Sequence, residues 1–355
     1  MEAKKILLIT ENLGSGGAER QLVGLALFLQ NKGYTVKVVT YYKNQFFEPY
    51  LKENHIDYEF LEGAFDKRKR LFLISKQIGR YQPATVISFL PVPNMVMCLL
   101  RMVHNFRLIV SERSHTQQWG RETFVRFNLY KLAERIVCNS FSEQENISYH
   151  YPSLEEKIVT IPNFVDTIRF SPSSVTSVHG KILSIGRITA QKNVLRAIES
   201  FNRLKNKGYS FQLTWIGSFY DSEYVSKVIA YIKENGLENH VHILDQQSNL
   251  LPYYQNASFF FFPSLLEGYP NVLCEAMSCG LPVVCSNVCE MPNIVEQGKN
   301  GFLFNPESVD EMVEALECML TLDEKDYKQM RKVNREQVME RNSEEAFVNQ
   351  YISII

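Results

Sequence analysis

Long apolar runs are missing from this 355-residue chain. The run from Met95 to Leu100 is stopped by Arg101, well short of the roughly 20 apolar residues a membrane-spanning helix needs. The opening residues, Met1 to Thr10, turn polar too quickly for a signal peptide, which predicts a cytoplasmic chain. Metal-type cysteine spacing is absent as well. Seven cysteines are present, four of them at Cys274, Cys279, Cys285 and Cys289, with no Cys-x2-Cys pair and no supporting histidines. Small, reduced, buried thiols are the expectation, and no metal site. A large excess of either charge is missing too. The net charge of −1 carries no global signal for nucleic acid.

What is present is an ordinary globular composition, 45% hydrophobic and 22% charged. The length predicts two domains of about 170 residues each. Charge divides unevenly between them. Residues 1–170 hold 22 Lys/Arg against 17 Asp/Glu, whereas residues 171–355 hold 16 against 22. A basic first half suits an anionic surface partner. Within it, Asp66 to Arg70 and the stretch through Lys76 and Arg80 form a basic, partly apolar segment. As a helix this segment sets Leu71, Ile74 and Ile78 on one side. Two readings stay open, a peripheral contact with an anionic membrane and a solvated basic face.

Strand and helix patterns alternate through both halves. Ile6 to Thr10 reads as a strand, Gln21 to Lys32 as a helix ending at Gly33, and Val36 to Thr40 as the next strand. The turn between, Gly14-Ser-Gly-Gly17, is not Gly-x-Gly-x-x-Gly, and no acid ends the second strand, which disfavours a nicotinamide or flavin dinucleotide site. Further strands read at 86–90, 108–111, 136–140 and 158–161, with a capping-box pattern at Ser142 to Glu145. The polar stretch from Ser171 to Gly180 reads as a linker. Strands then return at 181–186, 211–217, 241–244, 258–262, 282–286 and 302–304, which predicts a second doubly wound parallel sheet.

The stretch at 263–277, PSLLEGYPNVLCEAM, concentrates the chemistry. It follows an aromatic strand and opens a helix near Pro270 and Asn271. A strand feeding a helix N-terminus aims backbone N–H groups at one spot, an anion site. Glu267 and Glu275 stand eight residues apart around it. Carboxylates accept hydroxyl hydrogen bonds while the helix end accepts phosphate, a pairing suited to a nucleotide-activated sugar. Two isolated glutamates would more often be a cap and a solvated charge.

In order along the chain stand the glycine loop, Pro162-Asn-Phe-Val-Asp166, Arg187 with Lys192, and Glu267-x7-Glu275. The set resembles the GT-B glycosyltransferases of family 4, or group 1, and the Ser111-Glu-Arg113 turn resembles a Ser-Glu-Arg subgroup. The resemblance implies an α/β, GT-B architecture of two facing Rossmann-like, doubly wound parallel-sheet domains, with ligand at the cleft. It implies an acceptor domain at 1–170, joined by a C-terminal crossover helix at 340–355, and a nucleotide-sugar donor domain at 171–339. Ala346, Phe347, Gln350 and Tyr351 are the expected anchors of that helix.

By the same resemblance, Arg187 and Lys192 hold the departing diphosphate, Glu275 the ribose hydroxyls and Glu267 a sugar hydroxyl. Gly16, Gly17, Gly268, Tyr269, Pro270, Asn271 and Val272 line the donor side. Glu112 takes a catalytic position that many relatives fill with histidine. Asn94, Arg113 and His115 face the acceptor, although His115 also reads as a plain surface residue. Asn293 stands where relatives commonly carry a carboxylate, and Asp245 where a glycine is usual. The implied activity is retaining, metal-independent hexosyl transfer (EC 2.4), without a cofactor. The donor is a nucleoside-diphosphate-sugar, UDP favoured, and the acceptor a glycan or lipid-linked glycan in surface polysaccharide biosynthesis. The implied location is cytoplasmic or at the inner face of the cytoplasmic membrane. A nucleotide-sugar 2-epimerase and an inactive sugar-nucleotide-binding scaffold are the alternatives.

Overall fold

The computed structural model describes residues 4–173 and 180–355, so most of the expected linker at 171–180 lies outside the described residues. Two compact units emerge, one running up to Phe164 and including Glu344–Ile355, the other Val165–Ser343.

The first unit is built in chain order from β1 (Lys5–Ile9), α1 (Gly17–Asn31), β2 (Thr35–Thr40), α2 (Glu48–Glu53) and β3 (Asp57–Phe60). It continues through α3 (Lys67–Tyr81), β4 (Thr85–Phe89), α4 (Pro91–Leu100), β5 (Arg107–Glu112), α5 (Arg121–Tyr130), β6 (Arg135–Cys138), α6 (Phe141–His150) and β7 (Ile158–Thr160). All pairings are parallel, in the order β3-β2-β1-β4-β5-β6-β7. Alternate residues of β1 enter opposite cores: Leu7 and Ile9 one, Ile6 and Leu8 the other. That period of two explains why the strand reads as an unbroken apolar run.

The second unit contains β8 (Lys181–Ile185), α7 (Val194–Asn206), β9 (Gln212–Ile216), α8 (Ser222–Glu234), β10 (Val241–Leu244) and α9 (Leu251–Asn256). After them come β11 (Phe259–Phe262), α10 (Asn271–Ser278), β12 (Val283–Ser286), α11 (Met291–Ile294), β13 (Gly301–Phe304), α12 (Val309–Leu320) and α13 (Glu324–Asn342). The parallel sheet runs β10-β9-β8-β11-β12-β13. Every residue of β11 is buried, Phe259 and Phe261 in one core, Phe260 and Phe262 in the other. Burying each such ring stabilises by about 1.5–3 kcal/mol, which places this strand at the sheet centre.

The last helix, α14 (Glu344–Ile354), belongs to the first unit. Its buried stripe is Phe347, Val348, Tyr351 and Ile354, whereas Ala346 and Gln350, expected anchors, stay half-exposed. Phe347 meets the rings of Phe28, Phe164 and Tyr351 at centroid distances of 6.5, 5.3 and 5.1 Å. Gly24 is required beside them, because a Cβ there would lie 2.3 Å from the Phe164 ring.

Two local expectations are corrected. The α6 N-cap is Ser140, whose hydroxyl accepts from Glu143 N at 3.2 Å, two residues ahead of the expected box. In α3 the buried stripe is Arg70, Ile74, Gln77 and Ile78, and Leu71 is exposed. Arg70 takes the first place on that stripe because its guanidinium donates to the carbonyls of Ala64 (2.8 Å) and Phe65 (3.2 Å). The apolar side of α3 is therefore spent on the core. No described helix is long and apolar enough to cross a membrane.

Truncating Phe347 to alanine is expected to lower the stability of the first unit by about 3–5 kcal/mol, the usual toll for a buried ring in a closed site. Urea unfolding followed by tyrosine and tryptophan fluorescence reads it. A loss below about 1 kcal/mol would show that α14 does not hold that core.

Candidate functional site

In each sheet the chain builds outward to one side, then returns to start the other side against the first strand. The return falls between β1 and β4 in the first unit and between β8 and β11 in the second. At such a point the loops leaving two neighbouring strands diverge and leave a crevice at their carboxyl ends.

In the second unit those two loops are clasped together. Leu265 N donates to Gln191 O at 2.9 Å, and Gln191 Nε2 donates to Leu266 O at 3.0 Å. Lys192, in the turn after β8, makes an ion pair with Glu267, in the loop after β11. Both side chains are mostly shielded, at 14% and 12% exposure, and the Lys192 ammonium lies 5.2 Å from the centre of the Phe262 ring. The base of the turn is held by close backbone approach. A Cβ on Gly217 would fall 2.0 Å from Gly186 O, and Trp215 Nε1 donates to that oxygen at 2.8 Å. Arg187 follows, exposed, its guanidinium 5.7 Å from the Tyr220 ring. The crevice thus gathers two cations, one carboxylate and the start of α10, whose dipole favours an anion.

Glu275 lies within α10, buried, and accepts from the Tyr254 hydroxyl at 2.9 Å. Tyr254, which donates also to Val272 O at 3.2 Å, carried no signal in the sequence beyond its apolar surroundings. Pro270 is the N-cap position of α10, with Asn271 its first residue; Gly268 and Val272 are half-exposed. Tyr269 departs from the expected ligand contact. Its side chain is buried, its hydroxyl accepts from Asn342 Nδ2 at 2.6 Å, and Cys274 Sγ donates to it at 3.6 Å. Burial pushes that phenol well above its usual range. Any ligand contact at this position is left to the backbone. Asn293 Nδ2 donates to Glu290 Oε2 at 3.1 Å, and Asp245 is exposed, accepting from Gln246 N at 2.7 Å. Burial also pushes the Cys274 and Cys279 thiols up to about 12, so both are inert as nucleophiles at neutral pH.

In the first unit Gly16 is the N-cap of α1 and Gly17 its first residue. The Glu19 carboxylate folds back there; a Cβ on Gly16 would lie 2.3 Å from Glu19 Oε2. Burial raises the Glu19 pKa, with Glu11 adding repulsion.

At the end of β5 the structure revises three expectations. Glu112, expected to be catalytic, is fully buried, bound by the Tyr130 hydroxyl and by Arg126 Nη1 at 3.4 Å. Asn94, expected to face the acceptor, is equally buried and donates to Ser111 O and Tyr130 OH, both at 3.0 Å. A fully covered carboxylate and amide brace the end of the sheet and cannot touch a substrate in this conformation. Arg113 binds Asn163 and, at 3.3 Å, Ser111 Oγ, and its guanidinium packs 4.9 Å from the Phe89 ring. His115 is not a plain surface residue. Its Nδ1 lies 3.0 Å from Oε2 of buried Glu143. That carboxylate also accepts from Thr116 N (2.9 Å), Thr116 Oγ1 (2.6 Å) and Asn146 Nδ2 (3.2 Å). Glu143, which the sequence did not single out, is thus the anchor of the loop after β5. A cavity of about 310 Å³ opens at the opposite end of this unit, among Ile78, Gln82, Pro83 and His104, and holds none of the candidate residues.

Burial raises the Glu112 pKa against the opposing pull of Arg126 and Tyr130. The unfolded chain therefore releases this proton at a lower pH than the folded one. The stability conferred by the protonated form is complete below the ordinary glutamate range and lost as pH rises through the raised value. Glu112→Gln abolishes that titration. Its stability relative to wild type should improve steadily as pH climbs from about 4. Parallel unfolding curves across that range would overturn the assignment.

Comparison with known proteins places this geometry. Residues 15–169 match the Glycosyltransferase Family 4 model and residues 173–337 the Glycosyl transferases group 1 model. A Campylobacter jejuni protein, N-acetylgalactosamine-N,N'-diacetylbacillosaminyl-diphospho-undecaprenol 4-alpha-N-acetylgalactosaminyltransferase, is 27% identical, covering 90% of this chain and 91% of its own. An uncharacterized glycosyltransferase of Haemophilus influenzae is 26% identical over 89% and 90% of the two chains. Among solved structures, a Rickettsia africae glycosyltransferase superimposes with a TM-score of 0.90 at 18% identity, covering 100% and 98%. HepE of Anabaena in complex with UDP does so with 0.86 at 18% identity, covering 99% and 98%. Matched along both units, this chain belongs to the group 1, family 4 glycosyltransferases, enzymes of the GT-B fold.

Proposed function

We propose that the chain moves a hexosyl unit from a UDP-sugar to a hydroxyl of a lipid-linked glycan, with retention of anomeric configuration and without a metal ion. The observation that carries this reading is the Lys192–Glu267 pair joining the loops after β8 and β11, with Arg187 in the same turn as Lys192 and Glu275 in α10, the helix that follows Glu267. The relatives supply its direction: the Campylobacter protein is named for a diphospho-undecaprenol-linked acceptor, and the Anabaena structure holds UDP.

Sugar transfer breaks the anomeric C–O bond toward the β-phosphate, and negative charge gathers on the departing diphosphate. Arg187 offers a planar two-point contact to its oxygens, Lys192 a point charge, and α10 its positive end. These together stabilise the charge in a site already shaped for it. With donor absent, Lys192 and Glu267 satisfy one another. Binding redistributes them, the ammonium to phosphate and the carboxylate to a sugar hydroxyl. Glu275, steadied by Tyr254, accepts from the ribose hydroxyls. Front-face attack by the acceptor oxygen, its proton passing to the leaving phosphate, requires no enzyme nucleophile.

Arg187→Ala and Lys192→Ala are each expected to lower kcat by about 10²-fold or more. The melting temperature should be nearly unchanged in Arg187→Ala, whose side chain is exposed, and lowered in Lys192→Ala, which leaves the shielded Glu267 carboxylate without its partner. In wild type, UDP at a hundredfold its Kd should add about 2.7 kcal/mol to stability, a response that Glu275→Ala loses. EDTA should leave the rate unchanged, and NMR of the product should show the donor's anomeric configuration. Near-normal rates in both cation variants, or no response to UDP, would overturn the reading.

A further inference from the structure

We propose that Tyr220 is a positioning residue for Arg187. Its ring holds the guanidinium ready for the donor's diphosphate while taking none of its hydrogen-bond donors. The proposal rests on the reading of this crevice as a diphosphate site and adds the group that prepares its exposed cation.

The loop after β9 runs beside the turn after β8, because the two strands are neighbours in the sheet. Two backbone bonds join loop and turn on either side of Arg187. Gly186 N donates to Ile216 O at 2.9 Å, and Ile188 N donates to Ser218 O at 3.1 Å. Farther along, Asp221 caps α8 by accepting from Tyr224 N at 3.1 Å, and the Tyr224 hydroxyl accepts from Leu195 N at 3.2 Å. The segment that carries Tyr220 is thus anchored before and after it.

These bonds fix where the Arg187 side chain starts, not where it ends. Arg187 is exposed, and among the described residues it makes no hydrogen bond or ion pair. Its guanidinium lies over the Tyr220 ring, 5.7 Å from the centroid. Tyr220 is 76% exposed and belongs to neither core of the second unit. An exposed ring alone needs no explanation. This one stands over the one site cation that the fold leaves without a polar partner among the described residues.

The chemistry explains why the partner is a ring. Lys192 is held by the Glu267 carboxylate, a contact that must open before the ammonium turns to phosphate. A carboxylate beside Arg187 would likewise occupy the N–H groups that phosphate oxygens need. An aromatic face attracts a guanidinium through its quadrupole and leaves those in-plane N–H groups free. It also narrows the conformations of a long exposed side chain, so less freedom is lost when the diphosphate arrives.

The test is isothermal titration calorimetry of the full chain with UDP, GDP and ADP. Tyr220→Leu is expected to raise the UDP Kd by about two- to fivefold, the worth of an exposed cation–π contact. Tyr220→Phe, which keeps the face, should restore wild-type binding. In an Arg187→Ala background Tyr220→Leu should add no further loss, since a residue acting through another contributes nothing once that one is gone. The melting temperature without ligand should be the same in wild type and Tyr220→Leu, whose ring lies outside the core. Additive losses in the double variant would place the ring on the ligand itself and overturn the proposal. A Tyr220→Phe as weak as Tyr220→Leu would overturn it too, by assigning the contact to the hydroxyl. So would undiminished UDP binding by Tyr220→Leu while Arg187→Ala binds more weakly. If wild type binds none of the three nucleotides, or Arg187→Ala binds UDP as wild type does, the diphosphate reading itself fails and takes this proposal with it.

Discussion

In the second unit the chain lays β9 and β10 to one side of β8, then comes back to lay β11 on the other. Parallel pairing forces the loops after β8 and β11 apart at their carboxyl ends, and the chemistry collects where they part. Lys192 and Glu267 belong to these two loops and meet there, 75 residues apart in sequence. Withdrawing opposite charges from water is costly, and only good geometry or a ligand that takes over the contacts offsets it. The backbone clasp through Gln191 supplies the geometry. The all-aromatic β11 supplies a rigid floor.

The first unit uses its polar groups differently. Around the end of β5, Asn94, Tyr130, Glu112 and Arg126 form a connected buried network, and Glu143 gathers the Thr116 and His115 side of the same loop. A network of this kind fixes one arrangement because each unpaired member would be expensive. Its role is to hold loops above the sheet, while the charges able to reach a ligand lie elsewhere. The same economy appears in α3. Its isoleucines serve the core, its buried arginine ties down a loop, and its remaining rings and lysines stand outside.

Much of this was legible in the sequence. The alternation of apolar runs and helical periods defined two parallel sheets, because strands buried on both faces must be apolar at every position. The order of motifs, from the glycine loop through Pro162–Asp166 and Arg187/Lys192 to Glu267 and Glu275, marked the family. Edge strand β3 was harder to see. Its Asp57 and Glu59 pair with Lys37 across the parallel register, so the segment reads as polar.

By itself the sequence determined the fold class and the two-unit division of apolar periodicity, since these depend on local spacing and residue chemistry. Only the tertiary structure decided which polar residues are covered. Glu112, Asn94 and Tyr269 sit in motifs as chemically able as those of Glu267 and Glu275, yet packing from α5 and α13 closes over them. Tertiary structure likewise turned His115 onto Glu143 and left Phe65, Phe72 and Phe124 outside. Burial depends on contacts made far along the chain, and no local pattern encodes them.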